Sequence, residues 1–257
     1  FTTTGGGCGP SDDIEHHVVL VRADGTMKVI QTELIEKGDP GCTAGRIPAG
    51  LRGVRVRCGS PVGDYLAEIA QLEAASITAF EQLARELRVH GAPQRLIDAA
   101  IVARADEVRH ARVTATLARR WGGRPQRPIV VAQAPRALID VAIDNAIEGC
   151  IRETFGAASA ELGARQAGDR TLRRALATIA VDETRHAELS WQLAAWLDAK
   201  LGRTQRRTLA RARHDAYERM EQELTAARDP AVHRVCGLPE PAQARALYRR
   251  IGAALLA

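Results

Sequence analysis

A six-residue phrase occurs twice in this chain, Asp106-Glu107-Val108-Arg109-His110-Ala111 and Asp182-Glu183-Thr184-Arg185-His186-Ala187, each inside a long run of helical apolar periodicity. Residues three apart stand on one face of a helix, a turn apart, so each copy aims a carboxylate and an imidazole at one point. Each copy is therefore half of a metal site. A glutamate precedes each phrase on the preceding helical stretch: Glu73 lies 34 residues before Glu107, and Glu148 lies 35 before Glu183. Both are followed seven residues on by a phenylalanine, Phe80 and Phe155. The chain thus repeats a helix pair at an offset of about 75 residues, and a repeat of this kind constrains the fold before any single residue does.

Helix punctuation surrounds the repeat. Ser60-Pro61 is a capping residue followed by proline at the first helical position, and apolar residues recur at helical spacing from Leu66 to Leu87 until His90-Gly91. A second helix is expected from Pro93 to Trp121, a third from Pro135 to Ala167, and a fourth from Asp169 to Leu201. Tight turns join the first to the second and the third to the fourth, so each pair is an antiparallel hairpin. The segment from Gly122 to Ala134 holds Pro125, Pro128 and an extended Ile129-Val130-Val131. At roughly 3.3 Å per residue it can return along a helix bundle, placing the third helix parallel to the second. Within the hairpins Glu73 and Glu107 differ in height by roughly 4 to 5 Å, and Glu148 and Glu183 by roughly 7 Å.

Flanking regions differ in character. Residues 1–59 are rich in turns, with a glycine-rich lead. His17 to Val21 and Met27 to Gln31 form a hairpin signal around Asp24-Gly25, and Gly38 to Gly59 is expected to wrap the main body. Beyond the four helices, Thr204 to Arg228 and Pro241 to Leu256 read as two further helices, packed on the outside or at a subunit contact. The expected organisation is an extension over 1–59, a four-helix bundle over 60–202 and a helical extension over 203–257. The fold class is all-α.

Composition narrows the functional classes. Aromatic residues make up only 4% of the chain, which favours helices over a sheet sandwich. The net charge is +5, but lysine occurs only at 28, 37 and 200, and the arginines are scattered beside acidic residues along the helices. That pattern is a solvated helix face and not a nucleic-acid footprint. No apolar run reaches the roughly 18 to 20 residues of a membrane span. The five cysteines, at 8, 42, 58, 150 and 236, include no C-x-x-C pair, which argues against a zinc ribbon or rubredoxin-type centre. A disulfide among Cys8, Cys42 and Cys58 would suit an exported chain, and the glycine-rich lead with no initial Met favours an exported or envelope location over the cytoplasm. Cys150 reads as a small buried residue.

Paired iron ions want hard, bridging carboxylates with one imidazole on each metal. Glutamates from two helices and Glu-x-x-His from the other two are the arrangement known for di-iron and di-manganese centres in bundles. His110 and His186 would each bind one metal, Glu107 and Glu183 would bridge, and Glu73 and Glu148 would be terminal. Four buried carboxylates without cations would carry a heavy desolvation cost. Glu153, turned by about 140° from Glu148 on an ideal helix, reads as a supporting or surface residue. Glu81 competes with Glu73, but the Phe80/Phe155 match favours Glu73.

In these motifs the chain resembles the ferritin-like superfamily of ferritins, bacterioferritins, rubrerythrins and di-iron oxygenases, over about residues 61–201. The resemblance implies that the Asp before each motif accepts a hydrogen bond from the opposite histidine: Asp106 from His186, and Asp182 from His110. It implies two iron ions, with di-manganese or a mixed pair as alternatives, and a centre that activates O2 or reduces peroxide. Without a C-x-x-C module, an external electron donor is expected. Arg109 and Arg185 are expected to pair with carboxylates near the site, and Phe80 and Phe155 to pack beside the metals. Trp191 reads as core packing, and His16, His17, His90, His214 and His233 as surface or capping residues.

Three functions fit these motifs: a di-iron oxidoreductase, an iron-handling ferroxidase, and a helical interaction module with incidental metal. About 60 residues before the bundle and 55 after it make a storage shell a poor match, and a homodimer is left open. A substrate-sized apolar pocket at the metals would favour an oxygenase; a narrow acidic channel would favour iron handling.

Overall fold

The computed structural model describes residues 2–3, 14–21, 27–36, 45–52, 60–226 and 228–255. It is mostly helical. The elements in chain order are β1 (Thr2–Thr3), β2 (Ile14–Val21), β3 (Met27–Glu36), β4 (Leu51–Arg52), α1 (Pro61–Val89) and α2 (Gln94–Arg120). There follow β5 (Ile129–Val130), α3 (Leu138–Asp144), a π-helical segment (Asn145–Glu153), α4 (Thr154–Gln166), α5 (Arg170–Lys200), α6 (Arg203–Glu223), α7 (Pro230–Cys236) and α8 (Pro241–Leu255).

The helix starts follow the punctuation. Ser60 accepts a hydrogen bond from the Gly63 amide with Pro61 behind it, and Asp169 accepts from the amides of Thr171 and Leu172. Each cap satisfies amides that no helix carbonyl can reach.

Contacts give the directions of the helices. Gly63, early in α1, lies against Trp121 and Gly123 beyond the end of α2, while Leu87 and Leu96 share a cluster at the other end. A Cβ on Gly63 would stand 2.4 Å from the Trp121 carbonyl oxygen, so the close approach requires glycine. The pair is antiparallel. On the other hairpin, Gly163 meets Leu176 near the turn, and the Asn145 amide donates to the Ser190 carbonyl at the far end. The crossover begins at Gly123 beside Gly63 and delivers Arg136 to Glu86. It therefore travels roughly 35 Å along α1, at 1.5 Å per residue over that stretch. On the way β5 pairs antiparallel with β4, and of the segment from Gly38 to Gly59 that was expected to wrap the body only residues 45–52 are described.

Two apolar clusters divide the helices along their length. One holds Phe80, Leu83, Leu87, Leu96, Ala100, Leu189 and Leu193; the other holds Val62, Leu66, Leu117, Leu172 and Val232. The doubled motifs on α2 and α5, with Glu73 on α1, fall in the band between them.

Five expectations change. The third helix is not continuous from 135 to 167, because a nine-residue π-helical segment interrupts it. The helix expected from Thr204 to Arg228 ends at Glu223, and α7 begins at Pro230 behind an Asp229 cap. Phe155 does not flank the candidate ligands as Phe80 does. It packs edge-on against Tyr248 of α8, 5.6 Å between centroids, within a cluster that includes Met220 of α6. The hairpin is longer than expected, with β2 and β3 paired antiparallel and Val21 opposite Met27. The fifth change concerns Glu148 and is described with the site. Cys8, Cys42 and Cys58 and the side chains of His16 and His17 lie outside the described residues. Cys150 and Cys236 are buried free thiols.

Candidate metal centre

The antiparallel run of α2 and α5 sets the two Asp-Glu-x-x-His phrases side by side in opposite senses. That geometry crosses the partners. His110 Nε2 lies 3.1 Å from Asp182 Oδ2, and His186 Nε2 lies 3.3 Å from Asp106 Oδ2. Arg109 donates to both Asp106 and Asp182, and Arg185 does the same from the other helix. The arginines thus sit on the paired aspartates, at the outer face of the site. Burial opposes ionisation of Asp106, but His186, Arg109 and Arg185 outweigh it and hold its carboxyl far below the usual range.

With each Nε2 proton directed at an aspartate, the Nδ1 lone pairs face inward. His110 Nδ1 lies 3.2 Å from Glu183 Oε1 and 3.7 Å from both Glu107 and Glu73. His186 Nδ1 lies 3.2 Å from Glu107 Oε1, 3.7 Å from Glu183 and 3.9 Å from Glu153. Glu107 and Glu183 therefore face both imidazoles, whereas Glu73 faces His110 and Glu153 faces His186. The six residues make a two-ended cluster with two shared carboxylates. Glu73, Glu107, His110 and Glu183 form one metal-competent group, and Glu153, Glu183 and His186 form another.

Glu148 is absent from both groups, and Glu153 stands where it was expected. Glu148 Oε2 accepts a hydrogen bond from the Ile47 amide, and its other oxygen lies 3.7 Å from Arg152. Burial pushes its carboxyl up to about 6. The physical reason for the exchange is the π-helix. Its i to i+5 hydrogen bonds bring a residue five positions on round to a similar face, so the angle that separates Glu148 from Glu153 on an α-helix no longer applies. Gly149 permits the geometry, because a Cβ there would meet Ser190 Oγ at 2.6 Å and Asn145 Oδ1 at 2.8 Å. A signal was present in the sequence. Glu153 and Glu183 each lie about 15 residues from the turn between α4 and α5 and so at nearly equal height, whereas Glu148 leaves a mismatch of several ångströms.

The donor set fits cations. None of the six residues exposes more than 4% of its surface. Both oxygens of Glu107, Glu153 and Glu183, one oxygen of Glu73, and Nδ1 of both histidines are buried with no hydrogen-bond partner. Unsatisfied polar atoms at this density are costly unless something coordinates them. Protons alone give a frustrated alternative. Burial, with repulsion from Glu107 and Glu183, drives the Glu73 and Glu153 carboxyls well above their usual range. Burial opposes protonation of the two imidazoles, yet their carboxylate neighbours outweigh it and push both far up. Two divalent cations would balance four carboxylates and leave both imidazoles neutral.

The surroundings close the site on one side and leave it approachable on another. Phe80 packs on His186 with centroids 5.0 Å apart. Arg46 is buried against Asp144 and Asn145, and its carbonyl accepts from Ser76 on the next turn of α1 from Glu73. Elsewhere a cavity of about 80 Å³ ends on Glu73 and Glu183, with aliphatic walls that include Leu66, Ile69, Leu172 and Ile179. Glu81 is exposed and reaches Arg104 on the neighbouring helix, well away from this cluster. The Trp191 ring nitrogen donates to Thr154 Oγ1, His90 lies against the Arg136 carbonyl, and His214 pairs with Glu218 at the surface.

Comparison of the chain with protein-family models, curated proteins and solved structures found no match.

Proposed function

We propose that this protein is an oxidoreductase built on a ferritin-like four-helix bundle, with two metal ions, iron in the first instance, held by Glu73, Glu107, His110, Glu153, Glu183 and His186. The observation that carries the reading is the sharing of Glu107 and Glu183 between two imidazoles that each have a further carboxylate of their own. Such sharing suits two cations bridged by carboxylates. In this reading Glu73 with His110 holds one metal, and Glu153 with His186 the other.

When bound, the metal pair would supply two-electron chemistry toward O2 or peroxide. The chain's own residues prepare for it. Asp182 and Asp106 hold the imidazoles in the tautomer that presents Nδ1, and Arg109 and Arg185 each donate to both aspartates. Glu73 and Glu153 each face a single imidazole and would close the two ends of the cluster. Phe80 and the two apolar clusters exclude water from the band. Among the described residues no pair of cysteines accompanies the site, so electrons would come from an external donor. The aliphatic walls leading to Glu73 and Glu183 favour this reading over iron handling, which calls for a carboxylate-lined path.

Metal analysis of the purified protein is the first test, followed by anaerobic ferrous loading and exposure to O2 or H2O2 with optical monitoring. Two irons per chain and an oxidant-dependent absorption change are expected. Absent metal together with unchanged spectra after loading would overturn the reading.

A further inference from the structure

We infer that the cavity ending on Glu73 and Glu183 seats a small, mainly apolar organic molecule carrying one hydroxyl or carbonyl group, and that Ser159 receives that group. The inference rests on the proposed metal centre for the fate of the bound molecule, whereas the seat itself is argued from the cavity.

Leu66, Ile69, Leu117, Leu172, Leu176 and Ile179 wall the cavity from three helices, and among the described residues the only charged ones on its lining are Glu73 and Glu183. A metal cation travelling this way would shed its water with nothing to replace it until it reached them. An apolar molecule meets no such barrier, and pockets of this composition bind organic ligands oriented by a few polar groups. One such group is present. Ser159 Oγ is buried and has no hydrogen-bond partner among the described residues.

Its position sets the orientation. A second pocket shares Tyr65, Ser159 and Leu238 with the first and adds Glu223, Arg228 and His233. Ser159 is thus shared between the aliphatic cavity and a more polar neighbouring pocket. A molecule held there by its oxygen presents its apolar end, remote from that oxygen, to Glu73 and Glu183. The substrate position nearest the metals is then an unactivated carbon and not the functional group.

The test uses the full chain with labelled methyl groups, loaded with zinc as a redox-silent cation, and a parallel sample treated with chelator. It is titrated with 1-hexanol, 1-fluorohexane and hexylammonium and followed by NMR. Methyl shifts should concentrate on Leu172, Leu176 and Ile179, with 1-hexanol bound more tightly than hexylammonium. Ala160→Phe, which fills the cavity, should weaken 1-hexanol at least tenfold. Ser159→Ala should cut the preference for 1-hexanol over 1-fluorohexane by up to about tenfold, the value of one hydrogen bond. Should Ala160→Phe fail to fold by circular dichroism, Ser159→Ala decides. Shifts elsewhere, equal or tighter hexylammonium binding, or a preference unchanged in Ser159→Ala would each overturn the inference. Alcohol binding in a chain that takes up no zinc would sink the metal reading alone, and two bound zinc ions without alcohol binding would sink the pocket alone.

Discussion

His110 directs Nε2 at Asp182 Oδ2 across 3.1 Å, from the opposite helix and the opposite copy of the motif. Each half of the repeat thus orients the imidazole of the other. The reciprocal pair, His186 with Asp106, makes the arrangement pseudo-symmetric, and neither half-site is complete without the other helix.

Replacing either aspartate should therefore act on metal binding more than on folding. Asp182→Asn is expected to weaken affinity about 10- to 100-fold, the usual effect of losing a carboxylate behind a ligating histidine. Competition against a chromophoric chelator measures it, and circular dichroism should show helical content unchanged.

Glu148 and Glu153 separate the two possible readings of the third helix. Glu153→Gln should reduce the bound metal from two per chain toward one, measured by elemental analysis after desalting. Glu148→Gln should keep both metals and lose only the charge that faces Arg152, because the amide oxygen can still accept from Ile47. The opposite pattern would show that the π-helical register does not hold in solution.

Gly149 should tolerate no side chain. Gly149→Ala places a methyl 2.6 Å from Ser190 Oγ, and overpacking of this kind costs about 1 to 3 kcal/mol. A lower midpoint in urea is the expected outcome, together with weaker binding of the metal next to Glu153.

Acid should destabilise the chain through the ion-paired cluster of Arg46, Glu86, Arg136 and Asp144. Arg136 donates to both oxygens of Glu86 and to Asp144, and Arg46 donates to Asp144 as well. Burial opposes ionisation of both carboxyls, but the arginines outweigh it, so the folded pKa values lie below 4.5 for Glu86 and 3.8 for Asp144. A pKa depressed on folding contributes stability that is fully present above those values and is lost as pH falls through the lower folded ones. Arg136→Gln should cost about 2 to 3 kcal/mol at pH 7, discounted for the partial exposure of the arginine. Its stability should also fall less steeply than that of the unaltered chain between pH 5 and pH 2 in urea titrations.

Removing metal should lower thermal stability without abolishing the fold, because the two apolar clusters on either side of the site pack independently of it. A cation free at 100 times its Kd contributes about 2.7 kcal/mol. Differential scanning calorimetry with and without chelator is the measurement. An unchanged midpoint across a range of ferrous concentrations would contradict binding by the folded state.

Much of the architecture was legible in the chain. Ser60-Pro61, His90-Gly91, Gly122-Gly123 and Asp169 mark helix ends by local chemistry, and the doubled motif placed four of the candidate ligands, with Glu73 a fifth. The helix ends and the half-sites depend on neighbours a few residues away or on a spacing of one helical turn, so sequence reveals them. The crossed aspartates pair residues 72 and 80 apart and were implied by the resemblance alone.

Glu153 was different. Its use in place of Glu148 depends on a π-helical segment, and no residue between Asn145 and Glu153 demands one. That segment forms where Gly149 lets the backbone close on Ser190, Asn145 reaches the Ser190 carbonyl, and Arg46 arrives from almost a hundred residues earlier to pair with Asp144. Phe155 was misread for the same reason, since the apparent Glu-to-Phe repeat matched spacing while α6 and α8 supplied the packing partners. The sequence by itself determined the helix pairs, the two half-sites and the charge they must neutralise. Only tertiary packing decided which carboxylate of the third helix enters the cluster and where an apolar cavity meets it, because both depend on long-range contacts that rotate a helix by a fraction of a turn.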